Sequence, residues 1–134
     1  MSIAKNIENI KKKITNTQLI VVTKKQSLNN IKKVYNSGER NFGENRVNEL
    51  IIKKASLPKD IKWHMIGHLQ TNKVKYIAPF VSLIHAVDSE KLLKEINKRA
   101  TKNNRVIDCL LQFHIAEESS KFGLNEEKVK KILK

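Results

Sequence analysis

The sequence predicts an α/β fold with a parallel sheet, on three observations. Leu19 to Thr23 is a short uncharged run with the pattern of a strand buried on both faces, and Arg105 to Phe113 is a run rich in Val, Ile and Leu. Between them lie stretches whose apolar residues recur at helical spacing. Strand and helix alternate five times with short connections, and no Gly-rich tract, low-complexity segment or linker breaks the 134 residues. Length near the commonest domain size makes residues 1–134 one domain.

Each element follows in turn. Ile3, Ile7, Ile10 and Ile14 lay one apolar stripe along a first helix otherwise made of Lys, Glu and Asn. Leu19 to Thr23 is the first strand. Ser27 caps a helix through Ile31 and Val34 that ends near Gly38. Arg40 to Gly43 is a second strand, followed by a helix from Asn45 to Ser56 that Pro58 closes. Lys62 to Ile66 reads as the third strand, Thr71 to Ala78 as a short helix stopped by Pro79, and Val81 to Val87 as the fourth strand. Asp88 or Ser89 caps a helix with Leu92, Leu93, Ile96 and Ala100 on its inner face. Arg105 to Phe113 is the fifth strand, and Asn125 to Lys134 the last helix. Two architectures fit: an open doubly wound sheet and a (β/α) barrel. The first strand-to-helix turn, Thr23 to Leu28, lacks the glycines of a dinucleotide fingerprint. A complete barrel needs about 200 to 250 residues, so a barrel here would be incomplete.

Composition narrows the function. The net charge of +14 would ordinarily point to nucleic acid. The basic residues are spread along the whole chain, however, and only four of the 27 are Arg: Arg40, Arg46, Arg99 and Arg105. Arg is the residue suited to bidentate phosphate and base contacts, so no specific nucleic-acid partner is expected. No stretch is long and apolar enough to span a membrane. The single cysteine, Cys109, can form no internal disulfide and cannot alone hold structural zinc, which fits a reducing cytoplasmic setting.

Several residues could carry chemistry. Lys24 follows the first strand directly, and period-2 alternation puts it on the face of Ile20 and Val22, with Lys25 turned toward the helices. A partly desolvated lysine at a barrel-strand end has a neutral amine able to form a Schiff base with an aldehyde. His64 and His68 have the spacing of a helical zinc pair, but their segment reads as strand, no acidic residue lies between them, and His85 and His114 sit at other strand ends; no metal is expected. The glycines of Phe42-Gly43-Glu44-Asn45, Ile66-Gly67-His68 and Lys121-Phe122-Gly123 read as turn-formers at strand ends.

Taken together, these segments are far more specific. Val21-Val22-Thr23-Lys24, Asn41-Phe42-Gly43-Glu44-Asn45 with Glu49, Trp63-His64-Met65-Ile66-Gly67-His68-Leu69-Gln70-Thr71-Asn72-Lys73-Val74-Lys75, Ile84-His85-Ala86-Val87-Asp88-Ser89, and Leu110-Leu111-Gln112 with Ser120-Lys121-Phe122-Gly123 resemble the pyridoxal phosphate homeostasis proteins, the PROSC or YggS family. The resemblance implies the alanine racemase type of (β/α) TIM-type barrel, incomplete here at about five of eight units. It implies pyridoxal 5′-phosphate (PLP) as cofactor, Lys24 as its Schiff-base lysine, and Asn45, His68 and His85 near the cofactor. It implies a role in PLP homeostasis without strong catalysis. Thr23 stands where the family often has Ser, which keeps the hydroxyl. In the family the phosphate-binding Ser- and Gly-rich loop, and an arginine facing the pyridine nitrogen, lie in units that would follow Lys134. The expectations are therefore weak PLP binding, and association with a second copy or a complementary C-terminal fragment through open apolar edges at Val106, Cys109, Leu111 and Phe113. Two alternatives are a racemase-like enzyme, disfavoured without a second domain to supply a catalytic tyrosine, and a non-binding barrel fragment that needs a partner chain.

Overall fold

The protein, a computed structural model, is described over residues 2–113 and 126–133. Its elements run α1 (Ile3–Lys13), β1 (Val21–Val22), α2 (Leu28–Asn36), β2 (Asn41–Glu44), α3 (Val47–Ser56), β3 (Lys62–Met65), a short 3-10 turn (Thr71–Lys73) leading into α4 (Val74–Ile77), β4 (Leu83–Val87), α5 (Glu90–Lys102), β5 (Asp108–Leu111) and α6 (Glu126–Leu133). Serine hydroxyls start three of the helices by taking an otherwise unpaired first-turn N–H. Ser2 Oγ accepts from Lys5, Ser27 Oγ from Asn30 and Ser89 Oγ from Leu92, each at 3.1 Å.

Strand order decides between the two architectures. A doubly wound sheet reverses its order at a switch point. Here the order is β1-β2-β3-β4-β5 and every neighbouring pair is parallel, the sequential order of a barrel wall. Residues in register across a parallel pair share a face, and alternate residues along a strand do not. Val21, Phe42 and Trp63 form one outward row, and Glu44, Met65, Ile84 and Cys109 the next. The outward rows meet Ile31, Val34, Leu50, Val74, Ile77, Leu92 and Ile96 from the helices. Phe42 and Trp63 pack edge to face, with centroids 5.8 Å apart. The opposite, inner face carries Val22, Gly43, His64, Leu83, His85 and Leu110.

Several boundaries differ from expectation. The first strand spans Val21–Val22 instead of Leu19 to Thr23, although the Thr23 N–H still reaches Gly43 O at 3.0 Å. The fifth spans Asp108–Leu111, because Arg105 turns its guanidinium onto the carbonyls of Ala78 and Val81 at 2.6 and 2.8 Å, and Val106 is 90% exposed. Cys109 and Leu111 pack against the core, so the exposed apolar residues of this edge are Val106, Leu110 and Phe113. Of the isoleucine stripe on α1 only Ile7 is buried, because that helix rests chiefly on α2. Gly43 lies inside β2, not in a turn. His114 and the segment from Ser120 to Gly123 lie outside the described residues. Among the described residues no helix is long and apolar enough to cross a membrane.

Candidate functional site

Loops and strand ends at the C-terminal edge of the wall carry the polar residues, the edge where barrels of this type keep their sites. Lys24 is the first corner of a four-residue turn closed by Gln26 N–H on Thr23 O at 3.1 Å. Its side chain is exposed, and among the described residues none holds its ammonium. The expected partial desolvation is therefore not present: nothing described covers this side of the first strand, where Val22 is also 49% exposed. Nor does Lys25 face the helices. It is the second corner of the turn, exposed and left-handed at φ 59°, so strand alternation ends before it.

A second group was not foreseen as a unit. Behind the turn, on the helix side, Glu44 is fully buried and Lys53 is 6% exposed. Lys53 Nζ donates to Glu44 Oε2 at 2.8 Å, to Thr23 O at 2.7 Å and to Glu49 Oε2 at 3.1 Å, which uses all three ammonium protons. The Thr23 hydroxyl also donates to Glu44 Oε2. Glu49 accepts the Lys25 N–H at 3.1 Å. That backbone bond, followed by the one from Lys53, holds its carboxyl below the ordinary glutamate range. Helix periodicity was the available signal: Val47, Leu50 and Leu57 are buried, and Lys53 occupies the position between them where a leucine would continue the stripe.

On the inner face, His64 and His85 meet across β3 and β4. His64 Nδ1 lies 3.0 Å from His85 Nε2, and His64 Nε2 lies 3.1 Å from Asn41 Oδ1. An amide oxygen only accepts, so His64 Nε2 carries a proton. With both rings neutral, His64 Nδ1 accepts and His85 Nε2 donates. Burial, with smaller contributions from His85 and Lys62, pushes His64 down to about 4, and burial lowers His85 as well. His85 thus belongs to a relay with His64 and Asn41, a grouping visible in the sequence only as two histidines at the third position of adjacent strands.

Asn45 and His68 form a separate cleft of about 300 Å³, shared with Arg46, Asn48, Gln70 and Lys73. Gly67 makes the juxtaposition possible, since a Cβ there would lie 2.5 Å from the Asn45 carbonyl oxygen. His68 Nδ1 is 3.2 Å from Asp88 Oδ2, which ties the loop after β3 to the end of β4. The structure therefore brings Asn45 and His68 together, places His85 in the histidine pair, and sets Lys24 on its own turn at the edge strand.

A sequential parallel β/α wall with a lysine turn at its first strand and polar loops along its C-terminal edge defines the class as a (β/α) barrel wall. The family described as alanine racemase, N-terminal domain, matches residues 1–134, and the chain belongs to it. It is 46% identical over 103 residues to a protein named pyridoxal phosphate homeostasis protein of Aquifex aeolicus, covering 76% of this chain and 45% of the relative. A protein of the same name from Schizosaccharomyces pombe is 32% identical over 121 residues, covering 89% of this chain and 51% of the relative. The chain thus spans about half the length of these curated relatives. Among solved structures, PipY of Synechococcus elongatus with PLP bound is similar at TM-score 0.90 and 32% identity, covering 98% of this chain and 62% of that one. Alanine racemase from Bartonella henselae, at TM-score 0.76 and 16% identity, shares the fold.

Proposed function

We propose that this chain is the lysine-bearing part of a PLP-holding protein that serves PLP homeostasis, with Lys24 as the residue that takes the cofactor. The observation that carries the reading is the Lys24 turn: an exposed amine, engaged by no described residue, at the C-terminal end of the first strand of a wall similar to that of PLP-bound PipY. The residues present fit the aldehyde end of the cofactor, because the inner face beside Lys24 is open at Val22 and its histidines are neutral and paired with each other. PLP would supply an electrophilic aldehyde for the neutral Lys24 amine, whose two protons would depart with the carbonyl oxygen as water. The chain's part is to hold the amine at the mouth, while Asn45 and His68 offer polar atoms in the neighbouring cleft and the His64–His85 pair gives the inner face neutral donors.

Retention is weak. The described residues include no Ser- and Gly-rich loop for the phosphate, and each charge-assisted hydrogen bond forgone there is worth about 1.5–3 kcal/mol. Borohydride trapping with PLP followed by peptide mapping tests the reading: label is expected on Lys24, and an even spread over the lysines overturns it. Equilibrium dialysis is expected to give a dissociation constant well above micromolar, and a submicromolar value contradicts the weak-retention part.

The same reading has the chain associating with a second copy or a complementary segment through its open inner face, supported by the half-exposed Val22 and Leu110. Sedimentation showing one monodisperse monomer at all concentrations counts against this. A cytoplasmic setting is supported by Cys109 being the single, free cysteine of the chain; burial and the nearby Asp108 carboxylate push its thiol up to about 11, so it stays protonated at neutral pH.

A further inference from the structure

We infer that Glu44, Lys53 and Glu49 are positioning residues for Lys24, fixing the turn that presents its amine; the inference rests on the reading of Lys24 given above. Both residues that flank Lys24 are tied to this one cluster. On one side Thr23 gives its carbonyl to Lys53 Nζ at 2.7 Å and its hydroxyl to Glu44. On the other, Lys25 gives its backbone N–H to Glu49 at 3.1 Å. Lys24 itself makes no hydrogen bond or ion pair with any of the three.

Two features argue that the cluster serves the turn and not the core. A buried ion pair is generally no more stabilising than apolar side chains of the same volume, so a leucine at position 53 would fill the core equally well. The lysine instead spends one proton on a backbone carbonyl next to Lys24. The turn also needs outside support, because Lys25 holds φ 59° without being glycine, a conformation costly for a side chain with a Cβ. Glu49 and Lys53 stand one helical turn apart on α3, and Glu44 ends β2, so the cluster links the first two β/α units at the single point where Lys24 is displayed.

The test uses the full chain with Glu49→Ala, which removes the acceptor of the Lys25 N–H, and Lys53→Met. Glu49 is about one-third exposed (31%), so Glu49→Ala is expected to fold even should Lys53→Met fail to fold. In Glu49→Ala, hydrogen exchange at the Lys25 N–H is expected to speed up about tenfold, and borohydride-trapped PLP label at Lys24 to fall about tenfold relative to label at exposed lysines, while Glu49→Gln, whose amide oxygen still accepts, restores both. Removing a nearby negative charge would by itself favour neutral amines and raise the labelling, so a fall points to the turn. Lys24 labelled in Glu49→Ala as in the wild type, with an unchanged Lys25 exchange rate, overturns the positioning role alone. No preferred label at Lys24 in the wild type overturns the reading of Lys24 and this inference with it.

Discussion

On the helix side of the sheet, Phe42, Trp63, Met65 and Ile84 are at most 1% exposed, whereas on the inner side Val22 and Leu110 are each 49% exposed. Both rows come from the same strands, one residue apart, so strand propensity does not separate them. The difference is what lies opposite. The outward row meets four helices and closes into a core; among the described residues no helix covers the inner row. Folding free energy is thus concentrated on one face, and the other is left to carry polar pairs and an uncommitted lysine.

The largest effect that could break this comparison is a pair of truncations. Trp63→Ala removes a side chain 1% exposed at the centre of the helix-side packing, and is expected to cost about 3–5 kcal/mol. Leu110→Ala, on the inner face, is expected to cost about 0.5 kcal/mol or less. Urea denaturation of both variants measures the ratio. Equal losses would mean that the inner face is packed in solution and the two faces are alike.

A second effect comes from His64, an inner-face residue only 3% exposed. Its folded pKa of about 4 lies below the ordinary value of 6.5, so between these the unfolded chain binds a proton that the folded chain does not. Stability from this group is complete above about pH 6.5, falls as pH drops toward about 4, and is level below that. At 1.36 kcal/mol per unit the loss reaches about 3 kcal/mol, and His85, lowered in the same sense, adds to it. Urea midpoints at about pH 7, 5 and 4, with His64→Gln as control, test the point. A wild-type profile no steeper than that of the variant would show that the ring is solvated.

The comparison also explains what could be read in advance. The helix side follows from periodicity: Ile31 and Val34, Leu50, and Leu92, Ile96 and Ala100 lie where the apolar spacing puts them, and each is buried. Ser27 and Ser89 cap their helices as their positions suggest. Strand ends were less legible, because a run such as Leu19 to Thr23 has the same composition whether or not a partner strand is in register with all of it. The Glu44–Lys53–Glu49 cluster escaped notice because a charged residue on a Lys-rich helix reads as solvated, and only the packing of α3 on β2 puts Lys53 indoors. The His64–His85 pair needed the register of β3 and β4, which no local pattern encodes.

A smaller effect is expected at the loop that joins Asn45 to His68. Gly67→Ala would bring a Cβ to 2.5 Å from the Asn45 carbonyl oxygen, and since that neighbour is backbone, one of the two loops must move. A cost of about 1–3 kcal/mol, as for other overpacked sites, should appear in denaturation. Amide shifts by NMR should change around Asn45 and His68 and leave the His64–His85 pair untouched. Changes spread over the whole sheet would instead make the loop part of the core.

The smallest expected change in stability is also the sharpest test of the open face. Val22 and Leu110 lie on β1 and β5, the two edge strands of the sheet, and both project from its inner side. Being half exposed, each loses little on conversion to serine, and sites on opposite edges with no shared contact should add. The double variant Val22→Ser with Leu110→Ser is therefore expected to melt within about 0.5 kcal/mol of the wild type. Its sedimentation should change far more, because two of the largest apolar surfaces on that face are gone and any association through them weakens. A loss of stability above about 1.5 kcal/mol would place both residues in packed surroundings, while unchanged sedimentation with unchanged stability would move the associating surface away from the inner face, toward the exposed Val106 and Phe113 at the fifth-strand edge.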